Sequence, residues 1–143
     1  MQPKTNSSNA TLDPIRILIA DDHEIFRRGL CSLLESETHW KVCGEAANGR
    51  EAIEKFKALS PDLVILDITM PELNGLEAAR TINKISPKTP IFILSQHDSL
   101  EMLAISRDAG ARGYVCKSEI SRKLLSALRD LFPQNIPSFA PIS

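Results

Sequence analysis

The stretch Leu63-Val64-Ile65-Leu66-Asp67 decides the fold, because four apolar residues in a row end in a single carboxylate. An unbroken apolar run of this length predicts a strand buried on both faces, as in a parallel sheet covered by helices. Similar runs lie on either side of it in the chain, over 15–20 and 91–94. We therefore expect these three strands to form the centre of a parallel sheet.

Helical patterns alternate with the apolar runs. Apolar residues recur at helical spacing in five segments, at about 24–36, 50–59, 75–84, 100–109 and 119–132. Two further strands are predicted over about 40–46 and 113–116. A strand followed by a helix, five times over, predicts a single three-layer α/β domain with a parallel sheet. The second strand is the more polar one and suits a sheet edge, which gives the flavodoxin-like order 2-1-3-4-5.

Composition excludes several classes of protein. The 143 residues suit one domain, and 43% hydrophobic with 24% charged residues is ordinary for a soluble globular protein. With 17 basic and 18 acidic residues the net charge is -1, so we expect no direct nucleic-acid binding by this chain. No apolar run approaches the roughly 18 residues of a membrane span, and the N-terminus does not resemble a signal peptide. We expect a cytoplasmic protein without membrane contact.

The two ends of the chain differ in composition from its centre. Residues 1–14 are polar and rich in Asn, Ser and Thr, which predicts a disordered leader. Residues 133–143 hold three of the nine prolines and are expected to be a linker or tail. The folded domain is therefore predicted over 15–132. Its three cysteines, Cys31, Cys43 and Cys116, have apolar neighbours and fit neither a zinc site nor a disulfide framework, so we expect buried, reduced thiols.

Polar side chains stand where four of the predicted strands end. Asp21 and Asp22 follow the first strand, Asp67 ends the third, Ser95 the fourth and Lys117 the fifth. The carboxyl ends of parallel strands meet at one edge of the sheet, and ligands bind there at the point where strand order reverses. In the order 2-1-3-4-5 this point lies between the first and third strands. The three aspartates are therefore expected to converge on one crevice.

Three carboxylates in one crevice repel one another and need a compensating charge. A hard divalent cation, Mg²⁺ or Mn²⁺, would supply it, and Lys117 is a second source. Ser95 offers a hydroxyl donor to a phosphoryl oxygen, so the set suits phosphoryl transfer with Asp67 as the nucleophile. Taken singly, Asp22 and Ser95 are also ordinary helix caps, and Lys117 is an ordinary surface charge. Their joint placement at four strand ends favours a site.

Four stretches carry a resemblance to a known family: Ile17 to His23, Asp67 to Pro71, Asn74 to Ala78, and Gly113 to Ser118. The chain resembles the receiver domain of response regulators in two-component signalling, and more narrowly the branch with LuxR-type helix-turn-helix outputs. The resemblance extends over about 15–132. Many receivers have proline after the lysine, where this chain has Ser118, but the LuxR-type branch often lacks that proline.

The resemblance implies a role for each site residue. Asp67 is then the phosphoacceptor and a metal ligand, and the acidic pair Asp21 and Asp22 completes the metal site together with the backbone carbonyl of Thr69. The residues implied to bind phosphate and switch are Ser95, Lys117 and the rotating aromatic Tyr114. Thr69 and His97 would tune the lifetime of the phosphate, and Gly75 falls where the loop needs no side chain. Tyr114 could also be an ordinary strand aromatic, and His97 a solvent-exposed loop residue.

The implied function is a switch rather than an enzyme. A sensor histidine kinase or a small phosphodonor would phosphorylate Asp67, and the changed surface of helix 4, strand 5 and helix 5 would control an output. Phosphorylation-dependent pairing through helices 1 and 5, or 4 and 5, would involve candidates such as Met102, Ile105 and Leu128, unless these only pack the core. The output is either a transcriptional domain outside this chain or a partner of a stand-alone receiver.

Two other classes of function stay open on the sequence. A small phosphohydrolase with an aspartyl nucleophile usually has a carboxylate two residues further on, where this chain has Thr69. A pseudo-receiver that binds partners without phosphate tends to lose an acidic or lysine position, and all of these positions are kept here. Turnover of a phosphate ester would favour the first, and failure to bind Mg²⁺ the second.

Overall fold

The computed structural model describes residues 13–96 and 99–132. Five strands alternate with helices along this part of the chain. The strands are β1 (Ile15–Ala20), β2 (Trp40–Ala46), β3 (Leu63–Asp67), β4 (Ile91–Ser95) and β5 (Gly113–Cys116). The α-helices are α1 (Glu24–Glu35), α2 (Gly49–Leu59), α3 (Gly75–Ile85), α4 (Leu100–Asp108) and α5 (Leu125–Leu131).

All strand pairs are parallel, in the order β2-β1-β3-β4-β5. The predicted three-layer α/β fold and its strand order are confirmed. β3 and β4 are buried at every position, whereas β2 is largely half-buried and lies at the edge. The register of β1 against β2 shifts after Ile17, which leaves Cys43 opposite no β1 residue, as in a β-bulge.

Two apolar cores lie on the two faces of the sheet. On one face Leu18, Val64, Leu66 and Ile93 pack with residues of α2, α3 and α4. On the other face alternate strand residues, such as Ile17, Ile19 and Ile65, pack with α1 and α5. The alternation follows from the period of two in a strand, which sends successive side chains to opposite faces. Helices on both faces explain why the central strands are apolar throughout.

The helix that follows β5 differs from the prediction. The sequence predicted one α-helix over about 119–132, but the chain forms a 3-10 turn over Lys117–Glu119 and a π-helical segment over Ile120–Leu124 before α5. A π turn is wider than an α turn because its hydrogen bonds span five residues. Ile120, Leu124 and Leu128, which follow one another at intervals of four residues, are all buried against the sheet.

The cysteines correspond only in part to the expectation. All three are free thiols, and Cys116 is buried, but Cys31 and Cys43 are half-buried. Cys43 stays partly open because it sits in the irregular part of the edge strand β2. Within the described residues, no helix is long and apolar enough to cross a membrane. The predicted linker or tail, 133–143, and all but Asp13 and Pro14 of the predicted leader lie outside the described residues.

Candidate functional site

The register of the sheet brings the predicted site residues to one edge. Ala20 pairs with Leu66, so Asp21 and Asp67 come next on neighbouring strands. Asp67 pairs with Leu94, and the following residue is Ser95. Ser95 in turn pairs with Cys116, which places Lys117 just beyond it. The predicted convergence follows directly from this parallel register.

Burial separates these side chains into two groups. Asp21, Asp67 and Ser95 are 0%, 4% and 2% exposed, so three polar side chains lie in the protein interior. Asp22 and Thr69 are exposed. Buried carboxylates are costly unless they are paired or hold a cation. The buried group therefore requires partners of opposite charge.

Lys117 supplies the first of these charges. Its ammonium lies 2.8 Å from Asp21 Oδ2 and 3.4 Å from Asp67 Oδ1. The same nitrogen lies 4.4 Å from the centre of the Phe26 ring, within range of a cation–π interaction. The sequence predicted Lys117 beside Asp67, and the structure places it closer still to Asp21.

One lysine does not neutralise both buried carboxylates. Burial of Asp67, together with the nearby Asp21, raises its pKa from 3.8 to about 6, because Lys117 only partly offsets these two effects. A raised pKa means that the ionised form of Asp67 is disfavoured where it stands. The site thus has more negative charge than its own side chains compensate.

Asp21 is held by the backbone on one oxygen only. Its Oδ1 accepts a hydrogen bond from the His23 N–H at 2.8 Å. Its buried Oδ2 has the Lys117 ion pair, but within the described residues no well-directed hydrogen-bond donor reaches it. A buried oxygen with this deficit suits a further cation, because hard divalent cations take carboxylate oxygens as ligands.

The donor atoms fit a divalent cation. Asp21, Asp22 and His23 offer ligand atoms that lie within 4.8 Å of one another. Asp22, His23, Asp67 and Thr69 also line one cleft of about 330 Å³. Carboxylate and carbonyl oxygens are the ligands of Mg²⁺ and Mn²⁺, and the uncompensated charge on Asp67 favours such an ion.

The cleft is also large enough for a phosphoryl group. The remaining residues along its wall are Ile68, Ser95, Gln96 and Met102. Ser95 and Asp67 both line the cleft, so a hydroxyl and a carboxylate border the same space. Met102 of α4 closes the wall with an apolar group. Predicted residues Asp22, Asp67, Thr69 and Ser95 thus come together, with Asp21 and Lys117 adjoining them through the ion pairs.

Glycine shapes the backbone behind Asp67. Gly75 donates a backbone hydrogen bond to the Ile68 carbonyl at 3.1 Å. A Cβ atom at Gly75 would collide with the backbone oxygen of Asp67. The sequence predicted a position without a side chain here, and the close approach of α3 to the end of β3 is the reason for it.

Tyr114 and His97 complete the predicted set. Tyr114 is half-buried, packs against the core formed with α2, α3 and α4, and lines a small space between α4 and β5 together with Ser106. His97 lies outside the described residues. Among the proposed pairing residues, Leu128 is fully buried and belongs to the core, while Met102 and Ile105 are half-buried.

Three neighbours of the site were not assigned a role from the sequence. His23 offers an imidazole beside the acidic pair, Phe26 stacks on Lys117, and Arg27 donates to the Asp21 carbonyl at 2.6 Å. All three lie within one and a half helical turns after Asp22. Their spacing alone gave no sign of these contacts, since residues at a helix start point in several directions.

An apolar surface adjoins the cleft. Ile25 is 89% exposed and stands with Phe26 over a shallow depression that is also lined by His23, Gln96 and Ser118. We call these five residues the Ile25 surface. Contiguous exposed apolar surface with a polar rim is a feature of protein contacts, whereas a single exposed aliphatic side chain is not.

Comparison with known proteins agrees with this geometry. Residues 17–129 match the family described as response regulator receiver domain. The chemotaxis protein CheY of Thermotoga maritima is 40% identical over 113 residues, which are 79% of this chain and 93% of that protein. The response regulator UvrY of Escherichia coli O157:H7 is 36% identical over 118 residues, 82% of this chain but 54% of UvrY.

Solved structures give the same result. A LuxR-family two-component response regulator from Aurantimonas sp. SI85-9A1 superimposes with a TM-score of 0.80 at 33% identity, over 85% of this chain and 87% of that one. The chain spans about half the length of several transcriptional relatives, such as YxjL of Bacillus subtilis at 54%. In fold, strand order and sequence, the chain belongs to the response regulator receiver domains of two-component systems.

Proposed function

We propose that Asp67 accepts a phosphoryl group and that the chain is a phosphorylation-dependent switch. The observation that carries the proposal is the position of Asp67, which is 4% exposed at the cleft, next to Asp21 on the neighbouring strand and 3.4 Å from the Lys117 ammonium. A poorly compensated carboxylate gains from a bound cation, and the incoming phosphoryl group, which adds negative charge, needs the same cation and Lys117 beside it. Its position in the cleft leaves room for the incoming group.

The transfer step uses one oxygen of Asp67 as the nucleophile. This oxygen attacks the phosphorus of a phosphohistidine, the P–O bond forms, the P–N bond breaks, and the imidazole leaves. A divalent cation held by Asp21, Asp22, Asp67 and the Thr69 carbonyl would screen the charge on the phosphoryl oxygens. Lys117 and Ser95 would bind two of those oxygens, with an ionic contact and a hydroxyl donor.

The switch is proposed to involve Ser95 and Tyr114. The hydroxyl of Ser95 moves toward the phosphoryl group, and Tyr114 turns into the space that this opens. The faces of α4, β5 and α5 then differ between the two states. Support comes from the position of Tyr114, which is half-buried on β5 and lines a space beside α4.

Labelling with a small phosphodonor tests the acceptor. Acetyl phosphate with Mg²⁺ should add the mass of one phosphoryl group, measured by intact-protein mass spectrometry. The variant Asp67→Ala should stay unlabelled, whereas Asp130→Ala, which removes an exposed carboxylate on α5, should label like the wild type. Equal labelling of Asp67→Ala would contradict the assignment. Labelling that stays equal without any divalent cation would contradict the metal site.

The phosphodonor is proposed to be a sensor histidine kinase that docks on the Ile25 surface. The exposed Ile25 lies beside the cleft, and Phe26 behind it contacts Lys117, so a docked helix would stand next to Asp67. The variant Ile25→Asp should slow transfer from purified phosphorylated kinases of the same organism. Its labelling by acetyl phosphate should be unchanged, because that donor needs no docking. Unchanged transfer from every kinase that phosphorylates the wild type would reject the surface.

The output is proposed to be transcriptional. Relatives named as transcriptional regulatory proteins, such as YdfI of Bacillus subtilis, are about twice as long as the region they share with this chain. The alternative is a stand-alone receiver that acts through protein contacts, and the 93% coverage of the Thermotoga CheY favours it. An immunoblot of native cells with an antibody against this domain would distinguish the two alternatives by the size of the detected protein.

Pairing on phosphorylation is a further part of the proposal. Leu100 at the start of α4 is 84% exposed, and Met102 and Ile105 of the same helix are half-buried. Sedimentation velocity with and without beryllium fluoride should show a dimer only with the mimic. The variant Leu100→Asp should stay monomeric in both conditions if this face pairs, and should dimerise like the wild type if α1 and α5 pair instead.

A further inference from the structure

Arg27 links the ends of β1 and β2 beside the acidic pair. It lies in the first turns of α1, and its side chain is only 14% exposed. Nη1 donates a hydrogen bond to the backbone oxygen of Asp21 at 2.6 Å, and Nε donates to Glu45 Oε1 at 2.8 Å. One guanidinium thus ties the end of β1 to the end of β2, using two edges of its planar fork.

The oxygen that Arg27 holds belongs to the peptide between Asp21 and Asp22. The regular ladder of β1 with β2 ends at Ala20 and Ala46, and one more bond, from the Asp21 N–H to the Ala46 oxygen at 2.9 Å, extends it. Helix α1 begins at Glu24 without a side-chain cap from His23. Between strand and helix, the orientation of the Asp21–Asp22 peptide therefore depends on the bond from Arg27.

The charge of Arg27 is balanced where it stands. Glu45 pairs with it, and this hydrogen bond is the main reason why the pKa of Glu45 is lowered. The Cys31 thiol also hydrogen-bonds to Glu45, and burial together with Glu45 raises the pKa of Cys31 to about 11, so the thiol keeps its proton as a donor. Without Glu45, a bare guanidinium beside the acidic pair would repel an incoming divalent cation.

We propose that Arg27 is a positioning residue for the divalent-cation site, and that Glu45 keeps its charge from opposing the ion. The proposal rests on the proposed function, in which Asp21 and Asp22 hold that ion. Outer groups that orient metal ligands commonly change metal affinity by tenfold or more when they are removed. Arg27 would act in this way without touching either the ion or the phosphoryl group.

The direction in which Mg²⁺ affinity changes when Arg27 is replaced distinguishes a positioning role from a purely electrostatic one. Arg27→Met removes a positive charge, which by Coulomb's law alone would tighten Mg²⁺ binding. Loss of positioning would weaken it instead, and we expect the dissociation constant for Mg²⁺ to rise about tenfold in titration calorimetry. Arg27→Lys should recover part of the affinity, since an ammonium can donate to the Asp21 oxygen. The control is Arg28→Met, which removes the neighbouring, exposed arginine that pairs only with Glu24 among the described ion pairs.

A second variant separates the two contacts of Arg27. Glu45→Gln leaves the hydrogen bond from Arg27 to the Asp21 oxygen in place but removes the negative charge that balances the guanidinium. It should weaken Mg²⁺ binding at low salt, and the loss should shrink at high salt because the exposed charge is screened. The loss in Arg27→Met should persist at high salt, since it comes from geometry.

Hydrogen exchange gives a readout that does not need the ion. The His23 amide donates to Asp21 Oδ1, so its exchange without metal reports how well the loop is ordered. It should be faster in Arg27→Met and unchanged in Arg28→Met, while urea unfolding corrects for any loss of global stability. Unchanged or tighter Mg²⁺ binding by Arg27→Met would overturn the inference. Failure of the wild type to bind Mg²⁺ would instead overturn the proposed function itself.

Discussion

The ammonium of Lys117 lies 2.8 Å from Asp21 Oδ2, closer than its 3.4 Å distance from Asp67 Oδ1. The lysine that is proposed to bind phosphate is therefore paired first with a proposed metal ligand. A divalent cation and Lys117 would compete for the same carboxylate oxygen. Binding of the cation would then release Lys117 toward Asp67 and the incoming phosphoryl group.

Removal of Lys117 is expected to separate cation binding from phosphorylation. Lys117→Met should bind Mg²⁺ roughly tenfold more tightly, because a competing positive charge is lost. It should nevertheless accumulate less phosphorylated protein, since one phosphoryl oxygen loses its ionic partner. Titration calorimetry and intact mass measure the two effects. Lys123→Met, an exposed lysine that pairs with Glu119, is the control and should change neither.

The pKa of Asp67 predicts how stability depends on pH. In the metal-free protein it is raised from 3.8 to about 6, so folding favours the protonated form. This contribution is fully present below the unfolded pKa and is lost as pH rises through about 6. Asp67→Asn should therefore be more stable than the wild type at pH 7.5, by about 3 kcal/mol, and nearly equal to it at pH 3.5, below the unfolded pKa.

Urea unfolding at both pH values measures this difference. Asp130→Asn, which changes an exposed carboxylate, should follow the wild type throughout. Added Mg²⁺ should stabilise the wild type but scarcely affect Asp67→Asn, which lacks one ligand. If the unfolding free energy of the wild type instead rose above that of Asp67→Asn as the pH increased, the predicted sign of the pH dependence would be wrong.

Substitutions at two glycines test the close contact between Gly75 and the backbone oxygen of Asp67. Gly75→Ala would push a methyl group into the Asp67 backbone oxygen, so the end of β3 or α3 must move. We expect a loss of about 3 kcal/mol in unfolding free energy and slower labelling by acetyl phosphate. Gly29→Ala, at an exposed helical position with nothing within 4 Å, should gain up to about 1 kcal/mol. Equal effects of the two variants would argue against the contact.

Replacing the buried Ser106 by alanine is expected to stabilise the protein. Its side chain is 1% exposed, and within the described residues its Oγ has no hydrogen-bond partner. Ser106→Ala should therefore raise the unfolding free energy by about 1 kcal/mol, since a buried polar group without a partner is costly. Ser32→Ala, at an exposed position in α1, measures the part that comes from helix propensity alone. A net loss in Ser106→Ala would indicate a bound water that the hydroxyl holds.

The elements of the fold could be predicted because they depend on local patterns. Unbroken apolar runs such as Leu63–Leu66 distinguish buried strands, and the period of the apolar residues in between distinguishes helices. Their alternation leaves few topologies, and parallel strands place Asp21, Asp67 and Ser95 at one edge whatever the details. The polar second strand at the sheet edge indicated the strand order, and the family resemblance added the role of each site residue.

The sequence by itself thus determined the fold and the edge at which the polar residues gather. The tertiary structure alone decided which charges pair there, since the preference of Lys117 for Asp21 and the raised pKa of Asp67 depend on distances and burial that no spacing encodes. The same holds for the bond from Arg27 to the Asp21 oxygen and for the π-helical start of the last helix. Patterns along the chain report periodicity, whereas Coulomb energies, desolvation and packing depend on contacts between segments far apart in sequence.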